Sequence, residues 1–333
     1  MVLASTRNLL NQWFPPKPTF TEAEVPSQQG KVFIVTGGNG AVGYALIKIL
    51  YRAGATIYMA SRSKEKAEKA IQTLTTESPA PETPGKIKFL HLDLNDLLSV
   101  KASAAAFASQ ESKLNILWNN AGAGAMSFST GDRTAQDLEP LIGQNCVATL
   151  LFTTLLLPQL KNASTPEEPA RVVWTASFLA EGASPANGID FALLEKGTLD
   201  KTRNYATSKA GTWILGREFA RRYGGEGIVS VVQNPGNLRN EGWQKVGALT
   251  MVFVRHVLHD PRFGAYTELY AGLSRDVELE NNGAYVIPWG RVRGDEACPR
   301  KDILHAMLPE EDGGLGYGTK LWEWCDEKWK LFV

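Results

Sequence analysis

Six short apolar runs alternate with longer segments of helical spacing between residues 32 and 236. The runs are Val32 to Val35, ATIYMA at 55–60, KIKFLHLDL ending at Asp93, LNILWNNAG at 114–122, RVVWTAS at 171–177 and GIVSVVQNPG at 227–236. Between them, apolar residues recur at helical intervals over Ala41 to Leu50, Lys64 to Thr76, 96–110, 134–160 with a break at Pro140, and 202–222. Short buried runs separated by helices of ten or more residues predict parallel βαβ units. Right-handed crossovers then give an α/β fold, a doubly wound, mostly parallel sheet of Rossmann type with helices on both faces. Ligands of such sheets bind at the carboxyl ends of the strands. Polar signals stand there: Gly37 to Gly43, Arg62, Asp93, Asn119, Ser177 and Pro235-Gly236.

The first of these turns organises the rest. In KVFIVTGGNGAVG, residues 31–43, a strand meets a glycine cluster and then a helix. Glycine permits the sharp turn and lets a pyrophosphate approach the backbone, and the helix N-terminus offers free N–H groups to phosphate. A turn of this kind also occurs without a ligand, so the remaining chain has to decide.

Outside the alternating region the pattern loosens. Residues 1–30 are proline-punctuated and read as an irregular arm, tacked down by Trp13, Phe14 and Phe20 or, over 1–10, as a disordered leader. An insert at 178–204 carries a short helical piece near Phe191, and a second at 237–275 reads as mostly helical over 241–273. AYVIPW at 284–289 reads as a last strand whose proline marks a strand end or an edge. Residues 291–333 read as a helical tail with Trp322, Trp324 and Trp329 buried against a single catalytic domain spanning 31–290.

Composition narrows the function classes. Hydrophobic residues make up 44%, and 35 basic residues balance 35 acidic ones, which gives no electrostatic basis for nucleic acid or an anionic membrane. The apolar run Cys146 to Pro158 is too short for a transmembrane segment. Cys146, Cys298 and Cys325 are too far apart for a disulfide framework or metal knuckle, so a reducing, cytoplasmic setting is expected. His256 and His259 read as one solvated helix face, and no metal is expected.

By Tyr205 the ordered motifs resemble the short-chain dehydrogenases/reductases, in particular the retinol-dehydrogenase-like branch and its fungal members. The resemblance covers residues 31 to about 290 and rests on TGGNGAVG, LDL at 92–94, NNAG at 119–122, Asn145, Ser177, YATSK at 205–209 and NPGNLRN at 234–240. Two positions depart from the family pattern: Ala41 where a glycine is usual, and Asn240 where a threonine is usual. The resemblance implies an alcohol/carbonyl oxidoreductase with Asn145, Ser177, Tyr205 and Lys209 as catalytic residues. It also implies a nicotinamide cofactor held by Gly37, Asn39, Gly40, Ala41, Val42 and Gly43, by Ser61 and Arg62, by Asp93 and Leu94, and by Asn120, Ala121 and Gly122. Tyr205, Lys209, Pro235, Gly236 and Leu238 complete that set. Tyr205 is expected to exchange the proton, helped toward phenolate by the Lys209 cation one turn along. Ser177 would orient the carbonyl oxygen, and Asn145 would hold a water leading to Lys209.

The residues after the second strand bear on cofactor choice. ASRSKEK has no acid at 59–63 to accept a ribose hydroxyl, whereas Arg62, with Ser61 or Asn39, suits a 2′-phosphate. NADP(H) is therefore favoured, with NAD(H) as the alternative. Phe178, Leu179, Ile189, Phe191, Leu238, Trp243, Val246, Leu249 and Phe253 suggest an apolar pocket for a hydrophobic ketone, aldehyde or alcohol. Retinoid-, steroid- and polyketide-like molecules fit that description, and secondary metabolism is one setting for a fungal member. A cofactor-binding scaffold without turnover, or an epimerase or dehydratase on the same fold, are the competing classes. The long helices 134–160 and 202–222 would serve a homodimer, unless the insert and aromatic tail cover them and leave a monomer.

Overall fold

The computed structural model describes residues 2–239 and 257–332. Eight strands form one sheet in the order β3-β2-β1-β4-β5-β6-β7-β8. They are β1 Val32–Thr36, β2 Thr56–Ser61, β3 Lys86–His91, β4 Ile116–Asn119, β5 Ala170–Thr175, β6 Ile228–Gln233, β7 Tyr285–Ile287 and β8 Arg291–Arg293. All neighbours pair in parallel except β7 with β8. The central strands are buried on both faces, as parallel strands between helical layers must be. The expected doubly wound α/β sheet is thus the observed one.

The helices are α1 Val2–Trp13, α2 Ala41–Arg52, α3 Lys64–Thr76, α4 Leu97–Ala108, α5 Pro140–Leu155, α6 Leu157–Ala163, α7 Leu179–Gly182, α8 Lys201–Tyr223, α9 Pro261–Leu273, α10 Lys301–Met307 and α11 Tyr317–Trp329. One core packs α4, α5, α8 and the tail against a sheet face, and the other packs α2, α3 and α9 against the opposite face. Side-chain caps start several helices: Ser63 for α3, Asp96 for α4, Asp200 for α8 and Asp260 for α9.

Several expectations need correction. Residues 2–13 are helical rather than irregular. The helix turns Asn8 and Gln12 inward and leaves Leu10 and Phe14 exposed, so hydrophobic periodicity cannot reveal it. Trp13 and Phe20 make ring contacts with Phe178 and Tyr270, but Phe14 is 58% exposed and tacks nothing down. Pro140 starts α5 instead of breaking a helix, because a first-turn proline lacks an N–H that needs no helical partner. The real bend, 54°, lies between α5 and α6, beside Pro158. β7 ends just before Pro288 but is not an edge, since β8 pairs beyond it. His259 forms an isolated bridge with Leu238 and meets Trp289 edge to face, so it is no part of a helix face. The helix expected over 241–273 is observed from Pro261, while Asn240, Trp243, Val246, Leu249, Phe253 and His256 lie outside the described residues. Among the described residues no single helix is long and apolar enough to cross a membrane, and no acidic, cysteine and histidine group forms a metal cluster.

Candidate active site

β1 delivers the chain into the glycine turn with no room for side chains. Gly37 sits at φ +64°, and a Cβ on Gly43 would lie 2.6 Å from the Gly37 carbonyl and 2.8 Å from Asn120 Nδ2. A methyl on Gly38 would run into Ile47 and Met59, where α2 crosses the sheet. Gly40 caps α2 in extended backbone without a side-chain hydrogen bond, leaving the first-turn N–H groups directed at the cleft. Ala41, the departure from the glycine pattern, is exposed as the first residue of α2, so its methyl needs no shift of the turn.

The end of β4 is tied to this turn. Asn120 Nδ2 donates to the Thr36 carbonyl at 2.7 Å, and the Ala121 N–H donates to Thr36 Oγ1 at 2.8 Å. Asn119 donates to Thr153 Oγ1 at 2.9 Å and fixes β4 to α5. The result is an open cleft of about 530 Å³ whose lining holds Gly37, Asn39, Gly40, Ala41, Val42, Gly43, Ser61, Arg62, Asp93, Leu94, Asn120, Ala121 and Gly122. Tyr205, Lys209, Pro235, Gly236 and Leu238 are not in that lining. Leu238 reaches the same end of the sheet, against Gly264 of α9 and beside Val42. Gly236, at φ +88°, packs under Trp289, where a Cβ would come within 2.6 Å of the ring. Ser63, Lys66, Phe128 and Gln144 also line the cleft and were not singled out from the sequence. Ser63 and Lys66 were legible as the cap and first turn of α3 beside Arg62.

The residue types fit a dinucleotide: bare backbone and a helix N-terminus for pyrophosphate, apolar walls at Val42 and Leu94, and the Arg62 and Lys66 cations at the β2 end.

Beyond the cleft, four side chains converge. Tyr205 and Lys209 lie one turn apart on α8, with Lys209 Nζ 5.9 Å from the Tyr205 ring centre. Ser177, which follows β5, is the side chain that acts on the Tyr205 phenol, and its Oγ accepts from the Leu179 N–H at 3.2 Å. A Cβ on Gly122 would lie 2.7 Å from Lys209 Nζ and 3.3 Å from Asn145 Oδ1, which places both under the Asn-Asn-Ala-Gly turn. Asn145 sits in a π-helical turn, Gly143–Ala148, inside α5. Its side chain donates to Ser208 Oγ at 2.9 Å and accepts from the Ala123 N–H at 3.2 Å. Its carbonyl accepts from Thr212 Oγ1 at 3.1 Å.

Electrostatics corrects one expectation. Burial pushes the Tyr205 phenol up, and it is Ser177, not Lys209, that draws it back down. Lys209 is buried and donates to the Thr175 carbonyl at 2.8 Å. Burial brings its ammonium down to about 8, against the opposing pull of Cys146 and Glu268. Behind Thr175 lies a cluster absent from the sequence reading. Thr175 Oγ1 donates to Glu268 Oε1 at 3.0 Å, and Gln233 Nε2 donates to both, at 2.8 Å each. Burial lifts the fully enclosed Glu268 carboxyl to about 8. An acid within the largely apolar PRFGAYTELYAGL was the available signal.

Ile189 and Phe191, expected near the pocket, face elsewhere: Ile189 belongs to the core, and Phe191 packs on Tyr317 of the tail. Phe178 stays beside Ser177 and meets Trp13 of α1.

The family model for short chain dehydrogenase matches residues 31–189. A short-chain dehydrogenase/reductase of Pestalotiopsis fici, iacJ, is 47% identical over 99% of this chain and all of its own length. The chain belongs to the short-chain dehydrogenase/reductase family. A short-chain dehydrogenase/reductase of Phomopsis amygdali is 39% identical over the whole of both chains. A crystal structure of an uncharacterised protein from Mycobacterium paratuberculosis shares the fold with TM-score 0.65 and 25% identity, over 93% of this chain and 97% of that one. This short-chain dehydrogenase/reductase is an NAD(P)-dependent oxidoreductase that interconverts carbonyl and alcohol groups, and it is related to fungal members of the family.

Proposed function

We propose that this short-chain dehydrogenase/reductase works with NADP(H) on a hydrophobic ketone, aldehyde or corresponding alcohol. The observation that carries the cofactor preference is the β2 end of the cleft. Arg62 and Lys66 line it with Ser61 and Ser63, and among the described residues the acid of the cleft lining, Asp93, follows β3 rather than β2. When bound, the nicotinamide supplies or accepts the hydride. Tyr205 gives its phenolic proton to the carbonyl oxygen during reduction and takes one back from the alcohol during oxidation. Ser177 donates a hydrogen bond to the same oxygen and orients it. Lys209, held by the Thr175 carbonyl, would hold the ribose of the bound cofactor, and Asn145 keeps the Ala123 backbone and Ser208 in place around it. Phe178 and Leu179 supply apolar surface for the substrate.

On this reading, residues 31–290 are one catalytic unit with inserts at 178–204 and 237–275, flanked by the 1–30 arm and the 291–333 tail. The spelling of the motifs supports the retinol-dehydrogenase-like branch. Three buried free thiols support a cytoplasmic protein. Monomeric behaviour is supported by α11, whose Leu321, Trp322, Cys325 and Trp329 bury themselves against the α5 and α8 side that would otherwise meet a second copy.

Titration with NADPH and NADH, followed by nicotinamide fluorescence, tests the reading. We expect NADPH to bind at least tenfold tighter, the scale of one charge-assisted contact of about 1.4 kcal/mol or more. Equal affinity, or preference for NADH, would remove Arg62 from the phosphate-reading role.

A further inference from the structure

The α1 helix turns Asn8 and Gln12 inward, to residues that flank the reaction centre. Asn8 Nδ2 donates to Glu181 Oε2 at 2.8 Å, and Gln12 Nε2 reaches the same oxygen at 3.3 Å. Asn234 Nδ2 donates to Gln12 Oε1 at 2.8 Å, while Asn234 Oδ1 accepts from the Gly236 N–H at 3.1 Å. Glu181 is fully engaged, paired on its other oxygen with the buried Arg293. Arg291 adds two bonds to Asn11, at 2.6 Å to its side chain and 2.9 Å to its carbonyl. Gln12 therefore bridges the segment that follows Ser177 and the segment that carries Pro235-Gly236.

The next residue along, Trp13, stands between the same two segments. Its ring meets Phe178 edge-on, with centres 5.9 Å apart. Its carbonyl contacts His259 Nε2 at 3.3 Å, and that imidazole meets Trp289 edge to face, the indole lying over Gly236. The Trp13 indole N–H is buried and has no hydrogen-bond partner among the described residues. A buried donor is seldom left without an acceptor, so this one calls for a partner, and its place between the segments that carry Ser177 and Gly236 lets a bound substrate supply it.

We propose that α1 is a wall of the substrate site. Trp13 is its substrate-contacting residue, and Gln12 the positioning residue that holds it. The substrate class follows from the chemistry: a hydrophobic carbonyl compound with a second hydrogen-bond acceptor, remote from the reacting carbonyl, which the Trp13 N–H binds. The inference rests on the oxidoreductase reading of Ser177 and Tyr205 and adds a specificity element to it. The α1 helix does not line the cofactor cleft, so its role separates from cofactor binding.

The test uses the full-length chain and a matched pair of probes, 2-tetralone and 6-methoxy-2-tetralone, which differ by one remote acceptor. Wild type, Trp13→Phe and Gln12→Leu are each titrated with NADPH. They are then assayed for NADPH oxidation with both ketones, and for calorimetric binding of both ketones to the NADP⁺ complex. Trp13→Phe keeps an aromatic ring against Phe178 and removes only the N–H. NADPH affinity should stay within about twofold in all three proteins, and wild type should prefer the methoxy ketone by roughly five- to tenfold, the scale of one hydrogen bond. Trp13→Phe should erase that preference through KM with kcat unchanged, and Gln12→Leu should raise KM for both ketones. An unchanged preference in Trp13→Phe, equal binding of the two ketones by wild type, or failure of both to bind would overturn the proposal. Absence of NADPH binding in wild type would instead strike the oxidoreductase reading itself.

Discussion

Around the glycine turn, structure is made by what is missing. Gly43 has no Cβ because the Gly37 carbonyl and Asn120 amide occupy that space, and Asn120 and Ala121 bond directly to Thr36. Around the Ser177 turn, structure is made by amides and ions from both chain ends: Asn8, Gln12 and Arg293 converge on Glu181 and Asn234. The first kind of constraint is steric and acts on the backbone itself, so it prints glycines at fixed spacing. The second needs only one complementary partner anywhere in the chain, here 173 and 222 residues away, and leaves no periodicity. Two halves of one site can therefore differ completely in how visible they are.

That contrast can be broken at its steric half first. Gly43→Ala should raise the Kd for NADPH by roughly 100-fold or more, because the new methyl has no direction in which to yield. Retained affinity in a fluorescence titration would show that the turn is not the cradle. Next, Arg62→Leu should weaken NADPH about 10- to 100-fold and leave NADH within about twofold. Equal losses for both would move Arg62 from the 2′-phosphate to the adenine or to general folding.

The buried acid sharpens the polar half. The Glu268 carboxyl is held up near 8, so the native state keeps a proton that the unfolded chain loses above its ordinary value of 4.5. Stability from this group therefore falls as pH rises from about 4.5 toward 8. Glu268→Gln removes that slope, and its urea stability relative to wild type should improve between pH 5 and 8 by on the order of 3 kcal/mol. Parallel pH profiles would mean that Glu268 is already ionised in the fold. The smallest effect belongs to the outer face of α1. Leu10→Ser should change stability by less than about 0.5 kcal/mol, whereas Asn8→Ala, which strips a partner from buried Glu181, should cost about 1–3 kcal/mol by urea denaturation.

The doubly wound sheet and the glycine turn at its centre were legible because alternating apolar runs and glycine spacing answer directly to backbone geometry, whereas the order of the strands comes from the structure. Asn145, Ser177, Tyr205 and Lys209 were placed by motif, and the fold brings them to one end of the sheet. What stayed hidden has physical reasons. The helix at 2–13 carries Asn8 and Gln12 inward and Leu10 outward, which reverses the usual signal. The three residues of β8 are too few for an alternation to register. The π turn at Asn145 has no composition of its own. The effect of Lys209 on Tyr205 was inferred from helical spacing alone, yet the lysine turns to the Thr175 carbonyl, and Ser177 is the group that draws the buried phenol down.

Tyr205 exchanges the proton on this reading, and the cleft holds the cofactor independently of it. The direct measurement is Tyr205→Phe, assayed for NADPH affinity by fluorescence and for carbonyl reduction with any ketone that wild type turns over. The account predicts affinity within about twofold of wild type and turnover reduced by roughly 100- to 10,000-fold, the range of positioned acid–base catalysis. Turnover within a few fold of wild type would contradict it, and Tyr205 would then be a packing residue beside a proton donor elsewhere in the site.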